Sequence, residues 1–141
     1  RVTIDGKVQE WDAFLISFAN STQYGNNVHI APQARIDDGL IDVCFIRDFP
    51  KVTAPALLIS MLDQSIDQNK YDVIVKARKV NIHHPVDLLG HVDGEPVHLG
   101  QDVEVEILPL SLKVAVPPGH LKQTQNIFSP IMEMLPKITI N

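Results

Sequence analysis

Two acidic turns carry the residue types best suited to chemistry. Residues 35–40 read RIDDGL and residues 91–98 read HVDGEPVH. In the first, adjacent carboxylates followed by glycine can bind a hard cation through side-chain and carbonyl oxygens. In the second, a turn at Asp93-Gly94 brings Asp93 close to Glu95. Two carboxylates a residue apart can share proton work or hold Mg²⁺, and like charges raise the pKa of one of them. On local spacing alone each stretch also reads as a plain turn with exposed acids. The remaining candidates are weaker. His83, His84, His91 and His98 match no usual zinc spacing and have no cysteine beside them. His29 and His120 carry no signal. The basic run from Lys76 to Lys79 could meet phosphate or an anionic membrane, but it fits a solvated strand end better. The chain holds no glycine-rich phosphate loop of either common pattern.

The elements that must position these turns are mostly strands. Val103, Val105 and Ile107 alternate with Asp102, Glu104 and Glu106, as do Leu110, Leu112, Val114 and Val116 with polar or small neighbours, which is the pattern of strands with one wet face. Pro109 separates the two runs. Phe14 to Phe18 and Leu40 to Ile46 are apolar on both faces and read as central strands. Asp5-Gly6, Asp38-Gly39 and Asp93-Gly94 are each a hairpin signal, because type I′ turns require positive φ at both central residues. One helix is expected, with Thr53 as N-cap, Pro55 in the first turn and an apolar stripe of Leu57, Leu58, Met61, Leu62 and Ile66 covering one end of a sandwich. A second helical candidate follows Ser129-Pro130 and stops at Pro136. The fold class is therefore mainly all-β, an antiparallel sandwich with one covering helix. Residues 1–118 form that domain and residues 119–141 a C-terminal tail.

Length and composition bound the function. The chain has 141 residues, enough for one core, and 45 % are apolar. The formal net charge of −5 argues against nucleic acid as a partner. The single cysteine, Cys44, excludes an internal disulfide and reads as a small core residue. No stretch approaches the roughly 18 apolar residues of a membrane span, and no signal peptide is visible. The first residue is Arg1, so the chain reads as part of a longer protein.

Taken together, the motifs resemble a known family. FANSTQYGNNVHIAPQARIDDGLIDVCFI, followed some fifty residues later by GHVDGEP, resembles the C-terminal domain of the diacylglycerol kinase and sphingosine kinase-like lipid kinases. The likeness spans most of residues 1–117. It rests on the order Asn20, Tyr24-Gly25, Pro32, Ala34, Asp38 to Val43, and Asp93-Gly94-Glu95. A more distant kinship with NAD kinases accompanies it.

The resemblance implies a two-domain kinase. An N-terminal domain outside this chain would bind most of the ATP, and residues 119–141 would pack on it in cis. Asp38 would ligate Mg²⁺, with the carbonyls of Arg35 and Leu40 completing the protein's share of the shell. Glu95 would take the proton of a lipid hydroxyl, with Asp93 beside it ordering water or Mg²⁺. Asn20, Tyr24 and Gly25 would lie at the cleft as cofactor-binding positions. The substrate would be diacylglycerol or a similar lipid alcohol. The protein would be cytoplasmic, with peripheral membrane contact, and a homodimer is compatible with the sequence. Two other readings stay open: a non-catalytic lipid-binding or scaffolding module, and a kinase of another alcohol such as a sphingoid base. One departure from the family pattern stands out. Where relatives often carry a run of glycines after Tyr-Gly, this chain has Asn26-Asn27-Val28.

Overall fold

The computed structural model describes residues 1–115. The expected tail of residues 119–141, with its second helix, lies outside the described residues. The chain divides into two units, residues 1–110 and 111–141. The first is built from strands β1 (Val2–Ile4), β2 (Lys7–Gln9), β3 (Ala13–Ala19) and β4 (Ile41–Arg47), helix α1 (Ala54–Leu62), and strands β5 (Asp72–Ala77), β6 (Lys79–Val92) and β7 (Glu95–Glu106). They form two antiparallel sheets, β2-β1-β6-β7 and β3-β4-β5. In the second unit, residues 111–115 are exposed and form no strand.

Strand β4 shows why the two sheets and the helix layer stack as they do. Residues Ile41 to Ile46 are all buried, so both faces of the strand are covered. Side chains alternate across a strand. Ile41, Val43 and Phe45 join Val2, Ile4, Ala77 and Val80 in the core between the sheets. Cys44 and Ile46 point the other way, into a second cluster with Ala19, Ile30, Ala31, Leu57 and Ile66. Phe45 stacks on Trp11 with ring centroids 4.1 Å apart. Cys44 is fully buried, its thiol pushed up by burial.

The wet-face pattern of β7 holds, with Val103 and Val105 half-buried and Asp102, Glu104 and Glu106 exposed. Two of the three Asp-Gly pairs are hairpin turns with positive φ at both residues, Asp5-Gly6 (46° and 82°) and Asp93-Gly94 (49° and 91°). The Asp5 carboxylate also accepts the N–H groups of Arg78 and Lys79, at 3.0 and 2.9 Å, which ties the first turn to the start of β6. At Asp38-Gly39 only Gly39 has positive φ (69°). That pair ends the loop entering β4 and makes no hairpin, so the hairpin expectation there is corrected.

Four further expectations change. Phe14 to Phe18 lie on β3, which is an edge strand among the described residues, and Phe14 is exposed, with no described strand or helix covering its outer side. The alternating run after Pro109 is not a strand through residue 115. Leu110 takes φ 57°, Leu110 and Leu112 are exposed, and no partner strand is present among the described residues. An alternating pattern makes a strand only where a ladder and a covering layer exist. Helix α1 covers a face of the β3-β4-β5 sheet rather than the end of the sandwich, through Leu57 and half-buried Met61. Its stripe is also narrower than the spacing suggests. Leu58 and Leu62 are half exposed, and Ile66 sits in a separate 3-10 turn, Ile66–Gln68. The helix stops because the Asp63 carboxylate captures the N–H and hydroxyl of Ser65, and Gln64 turns left-handed (φ 64°). Thr53 occupies the N-cap position, but its side chain makes no capping bond.

Candidate active site

The segment between β3 and β4 is ordered by its own backbone. Tyr24 N–H donates to Val28 O at 2.6 Å, and Ile30 and Ala31 N–H both donate to Thr22 O. Gly25 (φ 96°) and Asn27 (φ 57°) supply the left-handed positions of this small loop. Asn27 therefore does what a glycine would do, since asparagine tolerates this conformation. Ile30 and Ala31 are fully buried behind β4 and anchor the loop. His29 N–H donates to Met61 O at 2.8 Å, which joins the loop to α1. With its base held in this way, the loop presents Asn20, Tyr24 and Gly25 at the surface.

The second acidic turn comes from the long β6-β7 hairpin. Pro85 falls where the ladder shifts register between His83 and Leu88, as expected for a residue that cannot donate to a ladder. Beyond the shift the pairing resumes from Leu88 to Val92, and Asp93-Gly94 closes it. Asp93 and Glu95 are exposed, and neither carboxylate forms a hydrogen bond or ion pair among the described residues. Aspartate tolerates the left-handed backbone at Asp93, and the turn also draws support from its neighbours. His91 gives it some: the Gly94 N–H donates to His91 Nδ1 at 3.3 Å. On its other side His91 Nε2 is hydrogen-bonded to the Tyr24 hydroxyl, with the ring centroids 5.4 Å apart. The structure thus brings Tyr24, from the three-stranded sheet's loop, to the Asp93-Gly94-Glu95 turn of the four-stranded sheet. These two motifs lie 67 residues apart at the contact.

The first acidic turn is built differently. Asp38 Oδ1 accepts the Leu40 N–H at 3.0 Å, which closes a local side-chain turn. Asp38 Oδ2 accepts from Lys76 Nζ at 2.9 Å, and the same ammonium reaches Asp42 Oδ2 at 2.9 Å. Asp42 is 2 % exposed. Partial burial pushes the Asp38 carboxyl up, but the hydrogen bonds from Lys76 and Leu40 outweigh it and hold the group below the usual carboxylate range. Burial likewise pushes the Lys76 ammonium down, and its bonds to the two carboxylates win, leaving it raised. Arg35 makes a two-pronged bond to Asp37 at 3.1 and 3.2 Å. No hydrogen bond or ion pair links the Asp38 turn to the Asp93 turn among the described residues.

Three residues at the site have partners that sequence reasoning does not reach. Asp42 and Lys76 are opposite one another in the β4-β5 register, and that pairing is invisible before the register is known. His91 belongs to the quoted motif, but only the hairpin's geometry gives it two partners. Lys79 of the same run is also engaged internally, bonded to Glu104 and Glu106. A shallow depression on the outer face of the four-stranded sheet, lined by Asn81, His83, Asp102 and Glu104, is filled with mutually bonded pairs and lies apart from both turns.

The comparison with known families fits this arrangement. A model described as the YegS C-terminal NAD kinase beta sandwich-like domain matches residues 1–116. The chain belongs to this family. Among curated relatives, the protein named Probable lipid kinase YegS from Salmonella newport is 33 % identical over 120 residues, 84 % of this chain and 38 % of that protein. Its namesake from Salmonella paratyphi A is 32 % identical over the same length. The chain thus spans well under half the length of the curated relatives it matches. Two solved structures of a diacylglycerol kinase-like protein from Bacillus anthracis str. Sterne share the fold, each with a TM-score of 0.58 and covering 77 % of this chain, at 24 % and 22 % identity. No helix of the described residues is long and apolar enough to cross a membrane.

Proposed function

We propose that this chain is the C-terminal, substrate-side domain of an ATP- and Mg²⁺-dependent lipid kinase. The reaction would move the γ-phosphoryl group of ATP to the hydroxyl of diacylglycerol or a related lipid alcohol. One observation carries the reading: in a chain of this family, the exposed Asp93-Gly94-Glu95 turn stands against the Tyr24 loop with its carboxylates unengaged among the described residues. Phosphoryl transfer asks little covalent chemistry of a protein. It needs positioning, charge neutralisation and a group that orients the nucleophile and takes its proton. Glu95 is our candidate for that group, with Asp93 beside it. Because a loose transition state releases the proton late, an ordinary carboxylate suffices. Asn20, Tyr24 and Gly25 would border the bound phosphates or lipid headgroup.

The residues around Asp38 suit Mg²⁺. Two carboxylates, Asp38 and Asp42, share one ammonium, so the pair keeps a net negative charge. Oxygen is the donor this ion prefers. No cluster of three or more His, Cys, Asp or Glu side chains gathers among the described residues. The rest of the shell would therefore come from backbone oxygens, with the carbonyls of Arg35 and Leu40 as candidates, and from water. Bound there, the ion would supply fixed positive charge that shapes the loop entering β4. The ATP-binding part, the lipid and any peripheral membrane contact or homodimer belong to the same proposal.

A direct test compares this 141-residue chain with the full-length protein in a labelled-phosphate assay on diacylglycerol in mixed micelles. Lipid labelling by the full-length protein alone supports the reading. Labelling by neither, from a folded full-length protein that binds ATP, favours another acceptor alcohol. Failure to bind ATP as well favours a non-catalytic module.

A further inference from the structure

The Tyr24–His91–Gly94 contact fixes more than proximity. A neutral imidazole has one donor nitrogen and one acceptor nitrogen. The Gly94 backbone N–H can only donate, and it meets Nδ1 at 3.3 Å. Nδ1 must then be the acceptor, so the ring proton sits on Nε2 and is donated to the Tyr24 hydroxyl oxygen. Both bonds hold only in this tautomer. A doubly protonated ring would turn a donor toward the Gly94 N–H and lose that bond. His91 is therefore a short rigid strut. One end grips the turn whose flanking residues are Asp93 and Glu95, and the other grips a loop anchored by buried Ile30 and Ala31.

We infer that His91, as the neutral Nε2–H tautomer, is a positioning residue that fixes the Asp93-Gly94-Glu95 turn against the Tyr24 loop. The β6-β7 ladder carries the turn, pairing Val92 with Glu95, but among the described residues His91 makes its one side-chain contact to the Tyr24 loop: the turn residues are exposed, and the acidic side chains form no bonds. Glycine 94 is bonded and Glu95 follows it directly, so freedom at the His91 contact becomes freedom in the Glu95 carboxylate. Reaction rates fall steeply when a reacting group drifts by about 1 Å. The consequence for rate rests on the lipid kinase reading, but the tautomer and the contact do not.

The experiment uses full-length protein carrying ¹⁵N-labelled histidine, with His91→Phe identifying the His91 signals. Two-bond ¹H–¹⁵N correlation at pH 8 reads the tautomer. The expected result is a protonated Nε2 and a bare Nδ1, with the Nε2 signal moved by Tyr24→Phe. The Gly94 amide should exchange with solvent about tenfold faster in His91→Phe, since it loses its acceptor. In lipid phosphorylation, His91→Phe should lower kcat about tenfold with KM for ATP little changed, and His91→Gln, which carries both an acceptor and a donor, should recover part of that loss. A proton on Nδ1 in the wild type would overturn the inference, and so would wild-type kcat and Gly94 exchange in a folded His91→Phe. Should the wild type phosphorylate no lipid, the lipid kinase reading fails, and the tautomer and the exchange rate still decide the inference.

Discussion

Asp42 is almost fully buried, and Lys76 is the cation that balances it. Removing one member of a buried pair strands the other charge, which is far more costly than deleting an exposed pair. Lys76 is itself partly exposed, which moderates the loss. Lys76→Met should therefore destabilise the fold by about 2 kcal/mol, read as a lower urea midpoint with an unchanged slope. Asp72 poses a different problem. Neither of its buried oxygens has a partner in good hydrogen-bond geometry among the described residues, and burial raises its pKa from 3.8 to about 7, against a weaker downward pull from the nearby Val73 N–H and with a smaller push from Asp67. The folded chain then holds this proton more tightly than the unfolded chain does. Stability from this group is present in full below about pH 4 and falls as the pH rises through 7. Asp72→Asn removes the titration but keeps the shape. Thermal melts should show the variant above the wild type at pH 8, by on the order of 2 kcal/mol, with the gap closing toward pH 5. A constant gap across that range would contradict a protonated Asp72. Neither Asp72 nor the Asp42–Lys76 pair was legible in the sequence. An aspartate at the start of a strand reads as exposed until the layer above it is known, and a cross-strand pair needs a register.

At the scale of elements, β4 carries both layers of the core. Phe45 is fully buried and stacked on Trp11, so Phe45→Ala should cost about 4 kcal/mol, measured by chemical unfolding. The loop entering β4 depends on Gly39, whose φ of 69° suits glycine, although a Cβ there would meet Pro109 only at an ordinary 3.7 Å. Gly39→Ala should thus cost about 1 kcal/mol through backbone strain rather than collision. The strands, the two Asp-Gly hairpins and buried Cys44 were readable because period-two burial and positive-φ turns are local properties. The edge position of β3 and the lack of a strand over residues 110–115 were not. Both depend on which neighbours exist, and an alternating or apolar run says only that it could be covered. The loop of residues 20–40 was readable as a motif but not as a structure. Its order comes from Thr22, Val28 and Met61 carbonyls, which any residue types could have supplied.

At the scale of the whole molecule, the family match spans residues 1–116 while the curated relatives are much longer. On the proposed reading, most of the ATP site would come from a part of the protein outside this chain. The two candidate turns also sit on different supports. Asp38 is fixed to β5 through Lys76, and Glu95 rides on a hairpin held by His91. That division suits one turn that shapes the scaffold and one that takes part in chemistry. The central claim is the second role. The deciding measurement is the rate of phosphate transfer from labelled ATP to diacylglycerol by the full-length protein and by its Glu95→Gln variant, at saturating Mg²⁺. The account predicts loss of at least about a hundredfold in kcat, with ATP binding and melting temperature retained. A Glu95→Gln enzyme that turns over at the wild-type rate would contradict it.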